Sequence, residues 1–567
     1  MRGRMWLMTP WLGVLGAIPG VAAEDPPHET PRADVIYVRG NIYTLDANRP
    51  RAEALASAGE RLIAVGADAE IRRLIKPETR IVDLGGRTVL PGLIDAHCHV
   101  ASLGSFGLGR LDLSDARSFE DVVAAVAARV KTAKPGEWIV GGRWDHESWP
   151  ERKLPAHEEL GAVSPENPVW LRRVDGHAGL ANAAAMKRAG IARDTPSPAG
   201  GEIVRDERGE PTGVFIDNAG DLIQAKLDAP APDAAALILK AQEMCLAVGL
   251  TGLHDAGITP TEVEVYRKLA ASGRLKIRVY AMIAGNYAQA YFREHGLVVS
   301  DRLTVRSAKL YADGALGSRG AWLLEAYRDR PTDADGRPYT GLNVMKPEFL
   351  RTVAEDGLLQ GYQVCTHAIG DRGNRETLDA YALAISRHPR ANHRFRIEHA
   401  QVLSAEDIPR FAELGVIAAM QPTHCTSDMR WVYDRVGRER AKWAYAWASL
   451  RRTGVPIAAG SDFPVESHQP LLGFYAAITR QDGKGEPAGG WHPEQRLTRE
   501  EALRAFTLDA AYAAFEENQK GSLAPGKLAD FVVVDRDVMT CAPQDVLQTR
   551  LLQTVIGGEV VYRASER

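Results

Sequence analysis

Cysteine is scarce in this sequence, and no charge of one sign dominates it. Only five of 567 residues are Cys, too few for a disulfide framework. The 69 Lys and Arg nearly balance the 73 Asp and Glu, which leaves a formal net charge of −4. A balance this even gives no general electrostatic reason to bind nucleic acid or an anionic membrane surface.

Several sequence signatures are missing as well. The chain has no internal repeat at solenoid periods and no low-complexity tract. It has no G-x-S-x-G nucleophile elbow, and the Gly-containing segment 314–317 lacks the Lys-Ser/Thr pair of a P-loop. What remains is 45% hydrophobic and 25% charged. That composition is typical of a soluble globular protein, and the length suffices for a large core plus a second lobe.

The first residues have the layout of a secretory signal peptide. Arg2 and Arg4 precede an uncharged stretch, residues 5–23, that Pro and Gly interrupt and that ends in Val-Ala-Ala. An uncleaved membrane anchor fits less well, because a spanning helix needs about 20 apolar residues. We therefore expect residues 1–23 to be removed and the protein to be exported, to the periplasm or outside the cell.

Both ends of the chain predict strands of one small β domain. Short apolar runs bounded by turn residues occur at 35–38, 61–65 and 80–84, and again at 531–534 and 554–560. We expect one β unit built from residues 34–90 and 511–567, with a large domain inserted between them.

The middle of the chain, residues 91–510, alternates strand-like and helix-like segments. This alternation predicts parallel pairing and an α/β architecture. The span exceeds the roughly 250 residues of a bare (β/α)₈ barrel, so we place an insertion at about 100–245, after the first barrel strand. The strand candidates are 90–100, 169–174, 275–283, 303–312, 361–367, 394–399, 416–420 and 456–461, and helix candidates include 121–131, 376–387 and 406–414.

The segment PGLIDAHCH at 91–99 ends an apolar strand with two histidines separated by one residue. Because side chains alternate along a strand, His97 and His99 point the same way and can share one metal ion. In a (β/α)₈ barrel, catalysis takes place at this end of the strands. Taken alone, the pair is equally compatible with two ordinary core or surface histidines.

Other candidate strands also end in residues useful for catalysis. His367, His399 and Asp462 each follow an apolar run, and Lys309 lies inside one, although lysine is almost never buried unpaired. Each alone has an ordinary interpretation, as a hydrogen-bonded core histidine or as a lysine that reaches the surface. Together with His97 and His99, they predict that six side chains converge on a metal.

Eight longer stretches are more specific. They are PGLIDAHCH at 91–99, WDHESWP at 144–150, RVDGHAGLANAAAMKRAGI at 173–191, KLYADGALGSRGAWL at 309–323, THAIGDRGNRETLDA at 366–380, RIEHAQ at 396–401, GSDFPVE at 460–466 and GSLAPGKLADFVVVD at 521–535. In these stretches the sequence resembles the amidohydrolase superfamily, within it the YtcJ-like branch that includes N-substituted formamide deformylases. The resemblance implies a distorted (β/α)₈ TIM barrel beside a small β-sandwich formed by both chain ends.

The resemblance also implies roles for the six residues. His97 and His99 match the metal ligands of the first strand, and His367 and His399 match those of the fifth and sixth. Asp462 matches the aspartate of the eighth strand, which binds metal and handles the proton. Lys309 falls where many two-metal members carry a lysine carboxylated by CO₂; the alternative is an unmodified lysine beside a single metal. The implied cofactor is a divalent metal, Zn²⁺, as one or two ions.

The function that follows is a metal-dependent hydrolase of a non-peptide C–N bond, of amide or formamide type, in a small molecule. In it, a metal-activated hydroxide attacks the carbonyl carbon, and Asp462 acts as general base and then general acid. A deaminase or phosphoester hydrolase on the same barrel is an alternative, since fold does not fix substrate. A second is a non-catalytic exported binding protein. We expect no nucleic-acid partner and no stable membrane anchor, and a homodimer stays open.

Six further residues are candidates for substrate contacts because they lie in the insertion or just beyond strand ends, where binding loops occur. For each of them a structural role, in packing, capping or an ion pair, is an open alternative. They are His177, Asp313, Arg319, Arg372, His424 and Trp144.

Overall fold

The computed structural model describes residues 32–228 and 233–565. The predicted signal peptide, residues 1–23, lies outside the described residues. Within the described ranges, no helix combines the length and the apolar character needed to span a bilayer.

The described chain begins with seven short strands. Four of them form a sheet in the order β5-β4-β1-β6, with β1 antiparallel to β4 and parallel to β6. The strands are β1 Val35–Val38, β2 Asn41–Tyr43, β3 Arg51–Ala52, β4 Ala54–Ala58, β5 Arg61–Gly66, β6 Arg80–Asp83 and β7 Thr88–Pro91.

After the next strand, β8 (Leu93–Cys98), the chain leaves to build a separate six-stranded sheet. Its order is β13-β14-β12-β11-β10-β9, and it has a core of its own around Val126, Leu171 and Val214. The strands are β9 Leu111–Asp112, β10 Ile139–Trp144, β11 Val169–Arg173, β12 Ala178–Ala181, β13 Gly201–Arg205 and β14 Pro211–Asp217.

The following strands join β8 in a nearly closed, TIM-barrel-like parallel sheet. The order is β22-β21-β20-β19-β18-β16-β15-β8, and β17 adds to β18 in the antiparallel sense. Beyond β22, the amide of Asp462 donates to His97 O at 2.8 Å, which brings the last barrel strand against the first. The strands are β15 Leu250–Ile258, β16 Arg278–Ala284, β17 Val298–Val299, β18 Leu303–Tyr311, β19 Gln363–Ala368, β20 Arg396–His399, β21 Ile417–Met420 and β22 Ile457–Ala459.

The end of the chain returns to its beginning. Strands β23 (Phe531–Val534), β24 (Leu551–Ile556) and β25 (Glu559–Arg563) join β7, β2 and β3 in a six-stranded sheet of order β25-β24-β23-β7-β2-β3. Val532 lies opposite Leu90 in the antiparallel pair β23–β7. Tyr37 of the four-stranded sheet packs edge-on against Phe531 of the six-stranded sheet, at 4.9 Å between ring centroids.

Helices connect the barrel strands, as parallel pairing requires. The helix after β15, for example, begins with Pro260 in its first turn and a capping box between Thr259 and Glu262. The helices are α1 Asp68–Ile71, α2 Val100–Gly107, α3 Phe119–Val130, α4 Glu158–Val163, α5 Ala183–Ala189, α6 Asp221–Gln224, α7 Ala234–Leu246, α8 Pro260–Ala271, α9 Gly285–His295, α10 Pro347–Gln360, α11 Asp371–Arg387, α12 Ile408–Leu414, α13 Pro422–Asp428, α14 Val432–Ala441, α15 Trp447–Arg452, α16 Pro470–Thr479, α17 Arg499–Ala505 and α18 Leu508–Ala513.

Three strand predictions need correction. The predicted strand 554–560 is wrong, because Gly557 and Gly558 have φ of 58° and 75° and form the turn between β24 and β25. The candidate 90–100 divides at Gly92, where an added Cβ would lie 2.3 Å from the Thr251 hydroxyl. The candidate 169–174 corresponds to β11, which belongs to the separate sheet rather than to the barrel.

Candidate metal centre

The barrel gathers the six predicted side chains at the carboxyl ends of its strands. Lys309 lies in β18, His367 in β19 and His399 at the end of β20, while Asp462 follows β22. His97 lies in β8 and His99 directly after it. Because these strands are parallel neighbours, their carboxyl ends meet at one rim.

The four imidazoles and the carboxylate are in contact at that rim. The ring centroid of His399 lies 4.9 Å from that of His97 and 4.5 Å from that of His367. Asp462 Oδ1 lies 3.1 Å from His99 Nε2 and 3.7 Å from His97 Nε2. The structure therefore brings these predicted side chains together at one rim of the barrel.

Three of these residues meet the geometric requirement for one metal ion. His97, His399 and Asp462 each offer a ligand atom, and these atoms lie within 4.8 Å of one another. Asp462 Oδ1 is buried without a hydrogen-bond partner, which is costly unless a cation or donor binds it. Imidazole and carboxylate together suit Zn²⁺ and similar divalent ions. The donor set therefore fits a divalent metal.

Lys309 stands beside this set. Its side chain is buried, and Nζ lies 3.0 Å from His97 Nε2. No described carboxylate forms an ion pair with it, and burial lowers its pKa to about 8. An ammonium at this place would repel a cation bound by His97.

Residues that the sequence analysis did not single out orient the histidines. Glu398 accepts a hydrogen bond from His97 Nδ1, and the Gln421 side-chain oxygen accepts one from His399 Nδ1 at 2.7 Å. Both bonds leave Nε2 of the ring facing the centre. Partners of this kind fix the tautomer and the orientation of a metal-binding imidazole. One feature of the sequence could have indicated Glu398. It is a carboxylate directly before the histidine at the end of an apolar strand, where a charged side chain needs a partner.

The protonation states favour metal binding. Burial lowers the pKa of His97 to about 4 and holds the pKa values of His367 and His399 well below the usual range. Burial alone would raise the pKa of Asp462, but the close approach of His99 and the charges of the neighbouring imidazoles hold it well below its ordinary value. Neutral imidazoles and an ionised carboxylate are the forms that bind metals.

Asp313 organises the loop beside His367 instead of facing a substrate. Its carboxylate is fully buried and accepts the backbone N–H groups of Trp322, Ile369 and Gly370 at 2.8–2.9 Å. Oδ1 lies 3.5 Å from His367 Nε2. The predicted substrate contact at Asp313 is therefore replaced by a structural role.

Two cavities meet at the metal centre. One has a volume of about 410 Å³ and the other about 280 Å³, and His177, His367, His399 and Asp462 line both. These volumes together suit a small organic substrate.

Two of the predicted substrate-contact residues line these cavities. His177 reaches them from the inserted sheet, and its Nδ1 is 2.6 Å from Asp217 Oδ1. His424 lines the smaller cavity, with its ring stacked 5.8 Å from that of His399.

The other three predicted substrate contacts lie elsewhere. Trp144 is wholly buried in the core of the inserted sheet, where its indole N–H donates to Leu171 O at 2.8 Å. Arg319 pairs with Asp329 at 2.8 Å, and the Arg372 guanidinium stacks 4.7 Å from the Trp322 ring. Packing and ion pairing account for these side chains, and none of them lines either cavity.

All five cysteines are free thiols. Cys98, Cys245, Cys365 and Cys425 are buried, and Cys541 is half-buried. They are too dispersed to build a ligand set of their own.

Known proteins with related sequences share this architecture. Residues 80–562 match the model of the amidohydrolase family. Over 94% of its length, the chain is 35% identical to Protein LONG AFTER FAR-RED 3 of Arabidopsis thaliana, 32% identical to the putative amidohydrolase YtcJ of Bacillus subtilis and 29% identical to the N-substituted formamide deformylase of Arthrobacter pascens, covering 92%, 99% and 99% of those proteins. The crystal structure of an uncharacterized metal-dependent hydrolase from Pyrococcus horikoshii superposes with a TM-score of 0.72 at 27% identity, over 90% of this chain and 99% of that one.

Proposed function

The chain belongs to the amidohydrolase family, and from that premise we propose that it cleaves an amide- or formamide-type C–N bond of a small molecule. Family membership and an enzyme relative make it a hydrolase of C–N bonds. The narrower proposal rests on one observation. Asp462 Oδ1 is buried without a hydrogen-bond partner beside the imidazoles of His97 and His99, at the junction of two cavities.

The chemistry begins with a divalent metal, for which we propose Zn²⁺ held by His97, His399 and Asp462. When bound, such an ion supplies Lewis acidity and lowers the pKa of its water to about 7. Glu398 and Gln421 keep the two imidazoles turned toward the centre. His99 and His367, on the same rim, extend the donor set enough for a second ion.

Asp462 moves the proton in the proposed reaction. Its carboxylate accepts a proton from the attacking water while the water oxygen bonds to the carbonyl carbon. The same proton then goes to the leaving nitrogen as the C–N bond breaks, so that amide and water give a carboxylic acid and an amine. The low pKa of Asp462 means that it starts as the base.

We propose that Lys309 carries a carbamate. The neutral amine adds to CO₂ and releases a proton. The carbamate that forms has two oxygens that share a negative charge, in place of an amine that becomes a cation when protonated and whose Nζ lies 3.0 Å from His97 Nε2. Burial without an ion-pair partner in the described chain supports this, because an anion at this place would complement a cation bound by His97. The alternative is an unmodified Lys309 beside a single ion.

His177 and His424 are proposed as substrate contacts. Asp217 engages Nδ1 of His177, which leaves Nε2 for the cavity. His424 Nε2 is buried without a hydrogen-bond partner and lies 3.7 Å from Asp462 Oδ2. Each is placed to hold a carbonyl or amide group of the substrate near Asp462.

One natively purified sample tests the proposal. Metal content and intact mass are measured first, and N-formyl amides, N-acyl amides, aminopurines and a phosphotriester are then assayed with the same protein. We expect bound divalent metal, a mass increment of one CO₂ and turnover of amides alone. Exclusive turnover of an aminopurine or a phosphotriester, or metal-free protein without activity, would contradict it. One metal per chain without the mass increment would remove the carbamate only.

Asp462→Asn tests the proton step. We expect kcat to fall by about 10²–10⁴-fold, the usual contribution of general acid–base catalysis, in protein whose metal content is measured alongside. Asp434→Asn is the matched control, since Asp434 is exposed and outside both cavities. A metal-loaded Asp462→Asn variant with near-normal turnover would defeat the assignment.

Three further expectations stand as proposals. Residues 1–23 are a signal peptide removed on export, to be tested by fractionation and N-terminal sequencing. The two terminal sheets form a β-sandwich, with boundaries at 34–90 and 511–567 around the barrel segment 91–510. A homodimer is the oligomeric state to be tested, by light scattering.

A further inference from the structure

One wall of the larger cavity carries positive charge that the proposed reaction does not use. Arg110 and Arg172 line the same 410 Å³ cavity as His97 and Asp462. Arg172 lies in β11 and Arg110 directly precedes β9, so the inserted sheet supplies this wall. The barrel supplies the metal centre, and the cavity is continuous between the two.

Neither guanidinium has an anionic partner in the described part of the chain. The Arg172 side chain donates one hydrogen bond, to Gly176 O at 2.5 Å. The Arg110 side chain donates none to any described residue, and its Nε is buried without an acceptor. Arg110 lies 5.7 Å from the ring of Phe106, whose face does not replace a counter-charge.

The adjacent Arg173, in contrast, has its positive charge balanced by carboxylates. It is paired with both Asp145 and Asp175, and it also donates to His146 Nδ1 at 3.2 Å. Asp145 and Asp175 are therefore engaged by Arg173, and no described carboxylate forms an ion pair with Arg110 or Arg172.

The two unpaired guanidiniums also repel each other. Burial, and after it the charge of Arg172, lower the pKa of Arg110 to about 10. The Arg172 side chain is exposed to solvent within the cavity. Asp175 and Asp221 line the same cavity and attract Arg172, but neither forms an ion pair with Arg172 or Arg110. Leaving Arg110 Nε buried without an acceptor is costly, and an anionic ligand bound by both arginines would relieve that cost and their mutual repulsion.

We propose that Arg110 and Arg172 bind an anionic oxygen group of the substrate, a carboxylate in the simplest case. The inference rests on the proposed amide hydrolysis. It narrows the substrate class to amides that carry a negatively charged group at the end of one substituent. The planar fork of a guanidinium matches a carboxylate in two parallel hydrogen bonds. His399 and Asp462 also line the smaller cavity. The substituent on the other side of the scissile C–N bond can therefore occupy that second cavity.

A matched series of N-acyl amides tests this. Three compounds of equal length end in a carboxylate, a carboxamide or an ammonium group, and kcat/KM is measured for each. We expect the carboxylate to be preferred over the carboxamide by about 10- to 100-fold, the range for a hydrogen bond to a charged group, and the ammonium compound to be poorest. Equal kcat/KM for all three would overturn the inference.

Variants locate the preference. Arg110→Gln and Arg172→Gln are each expected to raise KM for the carboxylate substrate by about tenfold or more and to lower the carboxylate-to-carboxamide ratio of kcat/KM by a similar factor. Arg172→Glu should reverse the order of carboxylate and ammonium substrates. Arg208→Gln is the matched control, since Arg208 is exposed on the inserted segment and lies outside the cavity. A carboxylate preference that survives both Gln variants would assign it to other residues and overturn the inference.

Binding separates this inference from the proposed function. Calorimetry compares glutarate with glutaramide on wild-type protein and on the Arg110→Gln and Arg172→Gln variants, with thermal unfolding as the check on folding. Selective glutarate binding that both variants lose supports the arginine site even if no amide is hydrolysed. Turnover of neutral amides without selective glutarate binding leaves the proposed function standing and rejects the arginine site.

Discussion

At the scale of single residues, the site depends on carboxylate and amide groups that turn each imidazole. His97 is held by Glu398 and His399 by Gln421. The sequence predicted the histidines, because a His-x-His pair at the end of a strand is a local pattern. It could not predict these partners, because Glu398 lies 301 positions from His97 and only the closed barrel brings the two together.

Glu398→Gln should weaken the metal site without removing a ligand. Glutamine keeps the size of the side chain but replaces the charged acceptor of the His97 hydrogen bond, and loss of such a partner typically costs 10- to 100-fold in metal affinity. We expect zinc affinity, measured by competition with a chelating dye, to fall by about that factor.

The Glu398 experiment needs a control for charge and for folding. Glu406→Gln removes a carboxylate that is 84% exposed, so its zinc affinity should match wild type. Glu398 also pairs with buried Arg396 at 2.7 Å, so thermal unfolding is followed for both variants. Wild-type zinc affinity in folded Glu398→Gln protein would show that the carboxylate does not orient His97.

At the scale of strands and helices, the limits of prediction follow from burial. Strands such as β21 and β22 are continuous apolar runs in the sequence because parallel strands are covered on both faces. Strand β15 was not predicted from the sequence, because Gly252, His254 and Asp255 interrupt its apolar pattern. Its buried Asp255 is satisfied by Tyr266 OH at 2.6 Å and Val100 N–H at 3.0 Å, partners that only the folded chain supplies.

Helix α13 ends at a carboxylate whose ionisation opposes folding. Burial raises the pKa of Asp428 to about 7 from 3.8, and the approach of Glu466 and Asp145 adds to the shift, while His424 and Tyr445 counter it. The folded protein therefore binds this proton more tightly than the unfolded chain. The resulting stability is fully present below pH 3.8 and is lost as the pH rises through about 7.

Asp428→Asn should therefore stabilise the protein at alkaline pH. Asparagine keeps an oxygen that can accept from Tyr445 and Gln401 but cannot ionise. We expect a gain on the order of 1–3 kcal/mol at pH 8, measured as unfolding free energy or as a higher Tm, and a gain that shrinks toward pH 4. Exposed Asp434→Asn should show no such pH dependence, and an Asp428→Asn gain that is equal at both pH values would contradict the assigned pKa.

At the scale of the whole molecule, the two chain ends and the barrel are joined by buried charge. Arg278 in barrel strand β16 pairs with Asp530 at 2.7 Å and with Glu60 at 3.1 Å, one from each end of the chain. The sequence predicted that both ends share a β unit, because their short apolar runs are alike. It could not predict the ionic link, since Arg278 and Asp530 are 252 positions apart.

Breaking this link should destabilise the whole chain. Arg278→Met leaves Asp530 buried without its cation, and a broken buried pair costs about 3–5 kcal/mol. The double variant Arg278→Met/Asp530→Leu removes both charges and should recover much of that loss, although Asp530 also accepts from the Gly557 N–H at 2.8 Å. Arg267→Met removes an exposed pair with Glu264 and should cost under about 1 kcal/mol.

Urea unfolding, followed by tryptophan fluorescence and circular dichroism, measures the stability of all three variants. If the link couples the terminal sheets to the barrel, the single variant lowers the midpoint of both probes together. A loss no larger than that of Arg267→Met would show that the Arg278–Asp530 pair contributes no more to stability than an exposed ion pair.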